Sequence, residues 1–242
     1  MSSMDAKGDR RMKAVILAAG QSLRMRPVAQ NMPKCLLPVN GEAILSRQLR
    51  ILRRCGVWDI VVVVGWKRRE LAARYGQEVF LLRNPRYKDS GSLYSLWLAR
   101  GLLDTDLIVL NADVVFTEAP IRDLLSCADT YCMVVDKGPC DEEAVKVTVS
   151  GDCVVDASKS LAPEDSYGEF ACMAGVRKQG LAAFRESLCA CQSESWLGGW
   201  SRAMVRLSRE GHGVGVVPMR GPWGEVDTAV DYEKVRGLFE EA

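Results

Sequence analysis

Short apolar strand-like runs alternate with helix-like segments through the first half of this chain, and that alternation restricts its fold more than any other feature. The strand candidates are residues 13–18, 59–64, 77–82 and 106–110, and most carry Val, Ile or Leu at nearly every interior position. Strands covered on both faces read this way, whereas a sheet with one wet face alternates apolar and polar residues. Between them lie segments with helical spacing. Residues 42–55 place Ile44, Leu45, Leu49 and Leu52 on one face and end at Gly56, a C-terminal cap. Residues 67–75 and 92–103 follow, the latter with Leu93, Leu96, Trp97 and Leu103 on its apolar side. The series predicts an α/β fold, Rossmann-like and doubly wound, with a mostly parallel sheet covered by helices on both faces. Ligands of such sheets bind at the carboxyl ends of the strands.

The second half reads differently. Strand-like runs cover 131–136, 144–149 and 153–155, and Gly151-Asp152 marks a hairpin between the last two. Helical spacing returns at 181–190 and 196–209, followed by a late strand at 214–217. A closing helix at 229–239 aligns Tyr232, Val235, Leu238 and Phe239. No linker-like stretch separates the halves. Residues 12–242 are therefore read as one domain with a mixed, β-rich elaboration from 131 to 212, behind a polar tail at 1–11 read as disordered.

Composition removes several function classes. The 242 residues carry 32 Lys+Arg against 31 Asp+Glu, a net charge of +1, so the chain lacks the basic surplus of a general nucleic-acid binder. No apolar run approaches the roughly 18 residues that cross a membrane, and no membrane insertion is expected. The nine cysteines are an odd number, and the polar start lacks the apolar core of a secretion signal. Together these features read as free thiols in a reducing cytoplasm. Cys189 and Cys191 form a lone pair without the second pair that a structural zinc site needs. The single His212 lies in Gly211-His212-Gly213, which reads as a turn.

The chemistry concentrates in one early stretch. Leu17-Ala18-Ala19-Gly20-Gln21-Ser22 places a small-residue turn directly after the first strand, where exposed backbone N–H groups suit phosphate oxygens. Arg24 and Lys34 add fixed positive charge, and Pro27, Pro33 and Pro38 exclude regular structure from the 20–40 region. No Gly-Lys-Ser/Thr follows, so this is not a Walker A loop. Two carboxylates stand further on: Asp113, in Leu110-Asn111-Ala112-Asp113 at the end of a strand, and Asp227, just before the closing helix. Magnesium bound with a polyphosphate commonly takes one or two carboxylates, so the pair is a candidate Mg²⁺ site.

The run LAAGQSLRMRP followed by PKCLLPV resembles the signature of the nucleotidyltransferases that make sugar-nucleotides and CDP-alcohols, whose usual form is LAAGxGxRxxP and then PKxLxPV. Ser22 stands where that family usually has its second glycine. The resemblance implies a nucleotide-diphospho-sugar transferase type of fold in which the 131–212 elaboration binds the acceptor. It implies Arg24 and Lys34 as catalytic groups and Leu17, Ala18, Ala19, Gly20, Gln21, Ser22 and Ala112 around the nucleotide. It also implies Asp113 and Asp227 as Mg²⁺ ligands. The segment from Asn84 to Leu96 resembles the bacterial branch of phosphocholine, aminoethylphosphonate and polyol-phosphate cytidylyltransferases, with Gly91 and Ser92 at the base contacts. Acceptor binding is expected of Lys146, Lys159, Glu169, Trp223 and Glu225; Trp196 and Trp200, four apart on a helix, read as core residues first and as further walls second. Ala144 replaces a tryptophan typical of phosphocholine-specific members. The expected function is transfer of CMP from CTP to a small phosphonate or phosphate with release of pyrophosphate. A UTP- or dTTP-dependent sugar-phosphate enzyme and an inactive binding protein of the same fold are the alternatives. The reading leaves room for a homodimer.

Overall fold

A computed structural model describes residues 11–25 and 31–240. Nearly all of the expected polar tail, and Arg26 and Pro27 of the early motif, lie outside the described residues. β1 (Met12–Ala18) is buried at all seven positions and runs into a loop holding two short 3₁₀ turns, Leu23–Met25 and Lys34–Leu36. β2 (Pro38–Val39) and β3 (Glu42–Ala43) form a small hairpin that leads into α1 (Ile44–Arg54). There follow β4 (Asp59–Val64), α2 (Arg68–Tyr75), β5 (Phe80–Arg83), α3 (Ser92–Leu98) and β6 (Asp106–Asn111). The second half adds β7 (Val114–Phe116), α4 (Ala119–Ser126), β8 (Tyr131–Asp136), β9 (Lys146–Ser150), β10 (Cys153–Ser158) and β11 (Gly168–Val176). α5 (Leu181–Glu194), α6 (Ser201–Arg209), β12 (Val214–Pro218), β13 (Trp223–Glu225) and α7 (Ala229–Glu240) complete the chain.

One nine-stranded sheet joins both halves, in the order β5-β4-β1-β6-β11-β8-β12-β10-β9. The first four strands are parallel, as their continuous apolar runs predict. β11 enters antiparallel between β6 and β8, and β9 and β10 form the expected hairpin, so the sheet is mixed. β11 escapes sequence reading because Gly168, Ala171, Ala174 and Gly175 dilute its apolar pattern and a bulge between Phe170 and Ala174 breaks the alternation. The helix expected from 196 instead begins at Ser201, since Gly198-Gly199 interrupts it. Residues 195–200 form an irregular strap across the start of α3. The Gly91 N–H donates to the Trp196 carbonyl at 2.7 Å, the Leu93 N–H to Gly198 at 3.1 Å, and the Trp200 N–H to Ser92 Oγ at 3.2 Å.

Two apolar clusters hold the layers. The larger packs the sheet against α1, α3, α5 and α6. The smaller joins Met25, Leu37, Val39 and Ile44 to Val226, Tyr232, Val235 and Phe239, so the last helix is seated on the early loop. Among the described residues no helix is long and apolar enough to cross a membrane. Ile16 is fully buried in β1, between β4 and β6. Ile16→Ala is expected to destabilise the protein by about 2–5 kcal/mol, read as a lowered urea midpoint with an unchanged m-value.

Candidate active site

The small-residue turn after β1 adopts the conformation that its sequence position requires. Ser22 has φ 53°, in the left-handed region that glycine enters without cost and serine does not. Its hydroxyl compensates by accepting the Lys34 backbone N–H at 2.9 Å, which ties the glycine turn to the lysine turn. β6 ends at Asn111, and a two-residue corner carries Asp113 into β7. β7 pairs antiparallel with β13, and the Val226 N–H donates to the Asp113 carbonyl at 2.9 Å. That pairing brings Glu225 and Asp227, from the far end of the chain, beside Asp113.

Lys34 closes the arrangement. Its Nζ lies 2.7 Å from Asp113 Oδ2 and 2.5 Å from Asp227 Oδ1. Arg24 Nη2 donates to Asp227 Oδ2 at 2.6 Å. Burial alone would lower the Lys34 pKa, but the two carboxylates outweigh it and raise it, so the side chain is a fixed cation. Burial would likewise raise the Asp227 pKa, but Lys34 and Arg24 hold its carboxyl below the ordinary range. Glu225 has no such partner. Burial, and then the neighbouring charges of Asp113 and Asp227, push its carboxyl up to about 8. Asp113, Glu225 and Asp227 each offer an oxygen within 4.8 Å of the others. Three hard oxygen donors at that spacing fit a divalent cation such as Mg²⁺, with the two aspartates as its charged ligands.

Leu17, Ala19, Gly20, Ser92, Asn111 and Asp113 are among the residues lining a cleft of about 230 Å³ beside this cluster. Ala18, Ser22 and Ala112 line a smaller recess against Lys34, and Gln21 donates to the Lys88 carbonyl across the mouth. Gly91 lines the same cleft and also has a structural task. Its N–H is already taken by Trp196, and a Cβ there would collide with the carbonyls of Leu197 and Gly198. Glycine at 91 therefore lets the strap dock. The Ser92 oxygen accepts from Trp200, and among the described residues its hydroxyl proton has no acceptor.

On the far side of the aspartates, Asp136, Glu169, Trp223 and Glu225 come together at the ends of β8, β11 and β13. The Trp223 indole donates to Asp136 Oδ2 at 2.8 Å, and Glu169 pairs with Asp136 in the sheet. Burial, then Asp141 and Asp136, push the Glu169 carboxyl up to about 7. Lys159 reaches Glu143 at 3.3 Å, and Arg24 approaches the same carboxylate at 3.8 Å. Lys146 departs from expectation. It is 1 % exposed, and its ammonium donates to the carbonyls of Asp141, Glu142 and Ala144. Its charge organises the loop over residues 141–144 rather than facing the site. Trp200 is a core residue at 2 % exposure, and Trp196 stacks on Tyr94 outside the cleft, so neither walls the acceptor side.

Gln48 was not legible as a site residue. Fully buried on α1, it donates to the carbonyls of Asn111 at 2.9 Å and Val114 at 2.7 Å, bracketing the corner that presents Asp113. A lone glutamine in an apolar helical face carries that signal only as an unexplained polar break.

A small-residue turn at a strand end, a lysine spanning two aspartates and a cleft at the sheet's carboxyl edge lie on a chain of the nucleotide-diphospho-sugar transferase fold. Residues 14–187 match the MobA-like NTP transferase domain, and the chain belongs to that family. It is 38% identical over 105 residues to the choline-phosphate cytidylyltransferase of Streptococcus pneumoniae, a stretch covering 42% of this chain and 44% of that protein. It is 36% identical over 130 residues to the CMP-5'-(3-aminopropyl)phosphonate synthase of Streptomyces rubellomurinus, covering 52% of this chain and 21% of that protein. The matches thus span less than half of either relative. The inositol-1-phosphate CTP transferase of T. maritima superposes with a TM-score of 0.80 at 20% identity, covering 96% of both chains, a likeness of fold.

The Ser22 hydroxyl bond makes a stability order testable. Ser22→Ala keeps the left-handed strain and loses the bond, whereas Ser22→Gly loses the bond but relieves the strain. The glycine variant should exceed the alanine variant by about 1 kcal/mol in urea unfolding.

Proposed function

We propose that this protein transfers CMP from CTP to a small acceptor bearing a phosphate or phosphonate, and that pyrophosphate leaves. The observation that carries the proposal is the Lys34 ammonium held between Asp113 and Asp227 directly beside the Ala18–Ser22 turn. The relatives named above support cytidine chemistry and phosphate- or phosphonate-bearing acceptors.

In this reading the triphosphate lies on the backbone of residues 18–22, and the cytosine rests against Gly91 and Ser92. Asp113 and Asp227 would hold Mg²⁺, which when bound supplies charge neutralisation of the phosphate oxygens. Lys34 stabilises charge on the α-phosphate, and Arg24 stabilises the leaving phosphates. An acceptor oxygen forms a bond to the α-phosphorus while the bond from that phosphorus to the bridging oxygen breaks. The attacking oxygen is already anionic near neutral pH, so no protein base is needed, and positioning with charge stabilisation carries the step. Asp136, Glu169 and Trp223, with Lys159 at the rim, form the acceptor side. Its carboxylates favour an acceptor whose far end is an amine, an ammonium or a donating hydroxyl, as in aminoalkylphosphonates, phosphocholine or hydroxyalkylphosphonates. Ala144 is buried, and its N–H donates to Asp141 Oδ1 at 2.9 Å, so it provides no aromatic face for a quaternary ammonium.

A pyrophosphate-release screen tests this directly. CTP, UTP, dTTP, ATP and GTP are each offered with Mg²⁺ and a panel of phosphocholine, aminoethylphosphonate, hydroxyethylphosphonate, and inositol and glycerol phosphates. The expected result is a preference for CTP in kcat/KM with at least one of these acceptors. Preference for UTP or dTTP would move the assignment to the sugar-phosphate branch, and no release with any pair would contradict it. Lys34→Ala and Asp227→Asn should each lower turnover by about 10²-fold or more, with an unchanged circular dichroism spectrum.

Acceptor affinity should also depend on pH. Glu169 is neutral below about 7 and ionised above it. For an amine-bearing acceptor, KM should therefore fall as pH rises through 7, and Glu169→Gln should remove that part of the profile. Comparing the two proteins separates Glu169 from the acceptor's own phosphate ionisation.

A further inference from the structure

We infer that Asn111, oriented by Trp200, recognises a ribose hydroxyl of the bound nucleotide. The inference rests on the nucleotidyltransferase reading above and concerns a side chain with no role in it. The indole Nε1–H of Trp200 donates to Asn111 Oδ1 at 3.0 Å. An indole nitrogen can only donate, so the carbonyl end of the Asn111 amide must face Trp200 and the NH₂ end must face away. Among the described residues that NH₂ group has no hydrogen-bond partner, and it is not one of the buried unpaired atoms. Asn111 lines the 230 Å³ cleft, so a fixed pair of donors is presented there.

The amide is also rigidly mounted. Trp200 is 2 % exposed and packs edge-on against Phe170 with ring centroids 5.2 Å apart. The Asn111 backbone carbonyl is held by the Gln48 side chain at 2.9 Å. A donor fixed in this way binds an acceptor without losing much freedom.

Position selects the partner. Asn111 lies two residues before Asp113, which the proposed function sets beside the phosphates. It is joined through Trp200 to Ser92, whose Oγ accepts the Trp200 backbone N–H. A nucleotide with its phosphates at Asp113 and its base at Ser92 therefore carries its sugar past Asn111. The hydroxyls are the sugar's exposed polar groups and can accept from an amide.

The test is calorimetric binding of CTP, 2′-deoxy-CTP and 3′-deoxy-CTP, each with Mg²⁺, to the intact chain, Asn111→Ala and Trp200→Phe. It requires no knowledge of the acceptor. The wild-type protein should bind CTP at least about fivefold more tightly than one of the deoxy analogues, the size of one hydrogen bond. In Asn111→Ala that preference should fall below about twofold. In Trp200→Phe the amide is free to flip, and the preference should shrink in the same direction. If one variant does not fold, the other decides. Equal binding of all three nucleotides by the wild-type protein, or an undiminished preference in a folded variant, would overturn the inference while leaving the nucleotidyltransferase reading intact. Failure to bind any of the three would instead end that reading, and this inference with it.

Discussion

The ammonium of Lys34 between Asp113 and Asp227 is the contact on which the rest of the site depends. Three regions far apart in the chain meet there: the loop after β1, the corner after β6 and the turn before α7. Two carboxylates this close repel each other, and the Lys34 ammonium between them offsets that repulsion in a half-buried place. Glu225, beside them but without a cation of its own, is pushed the other way. One local charge balance thus treats neighbouring carboxyls differently, holding Asp227 below and pushing Glu225 above the ordinary carboxylate range.

The fold exists to bring those groups together. The parallel strands deliver the glycine turn and Asp113 to the same edge of the sheet. The β7–β13 pairing adds Asp227, and the small apolar cluster around Tyr232 and Phe239 keeps α7 seated on the loop that carries Lys34. Gln48 holds the Asn111 backbone carbonyl and Trp200 its side-chain amide, so the corner is supported by polar groups as well as by packing.

Much of this could be read from the residues. Continuous apolar runs announced the parallel half, because strands covered on both faces leave that trace. The glycine turn, Lys34 and the two aspartates stood out because small residues and fixed charge suit phosphate, and the family resemblance grouped them; the structure brings Lys34, Asp113 and Asp227 together. The mixed half was harder. β11 is rich in glycine and alanine and bulges at Cys172, so neither composition nor period marks it. Gly198-Gly199 turned an expected helix into a strap. Lys146 looked like a free cation, yet three backbone carbonyls consume it. Spacing along the chain cannot report such tertiary hydrogen bonds, and the roles of Gly91 and Gln48 were hidden for the same reason.

Lys34, Asp113 and Asp227 are expected to surround one metal-loaded triphosphate. A crystal structure with a non-hydrolysable CTP analogue and Mn²⁺, located by its anomalous signal, measures this most directly. The ion should lie against the carboxylates of Asp113 and Asp227, with the phosphates on the backbone of residues 18–22. An ion and triphosphate bound away from these carboxylates would contradict it.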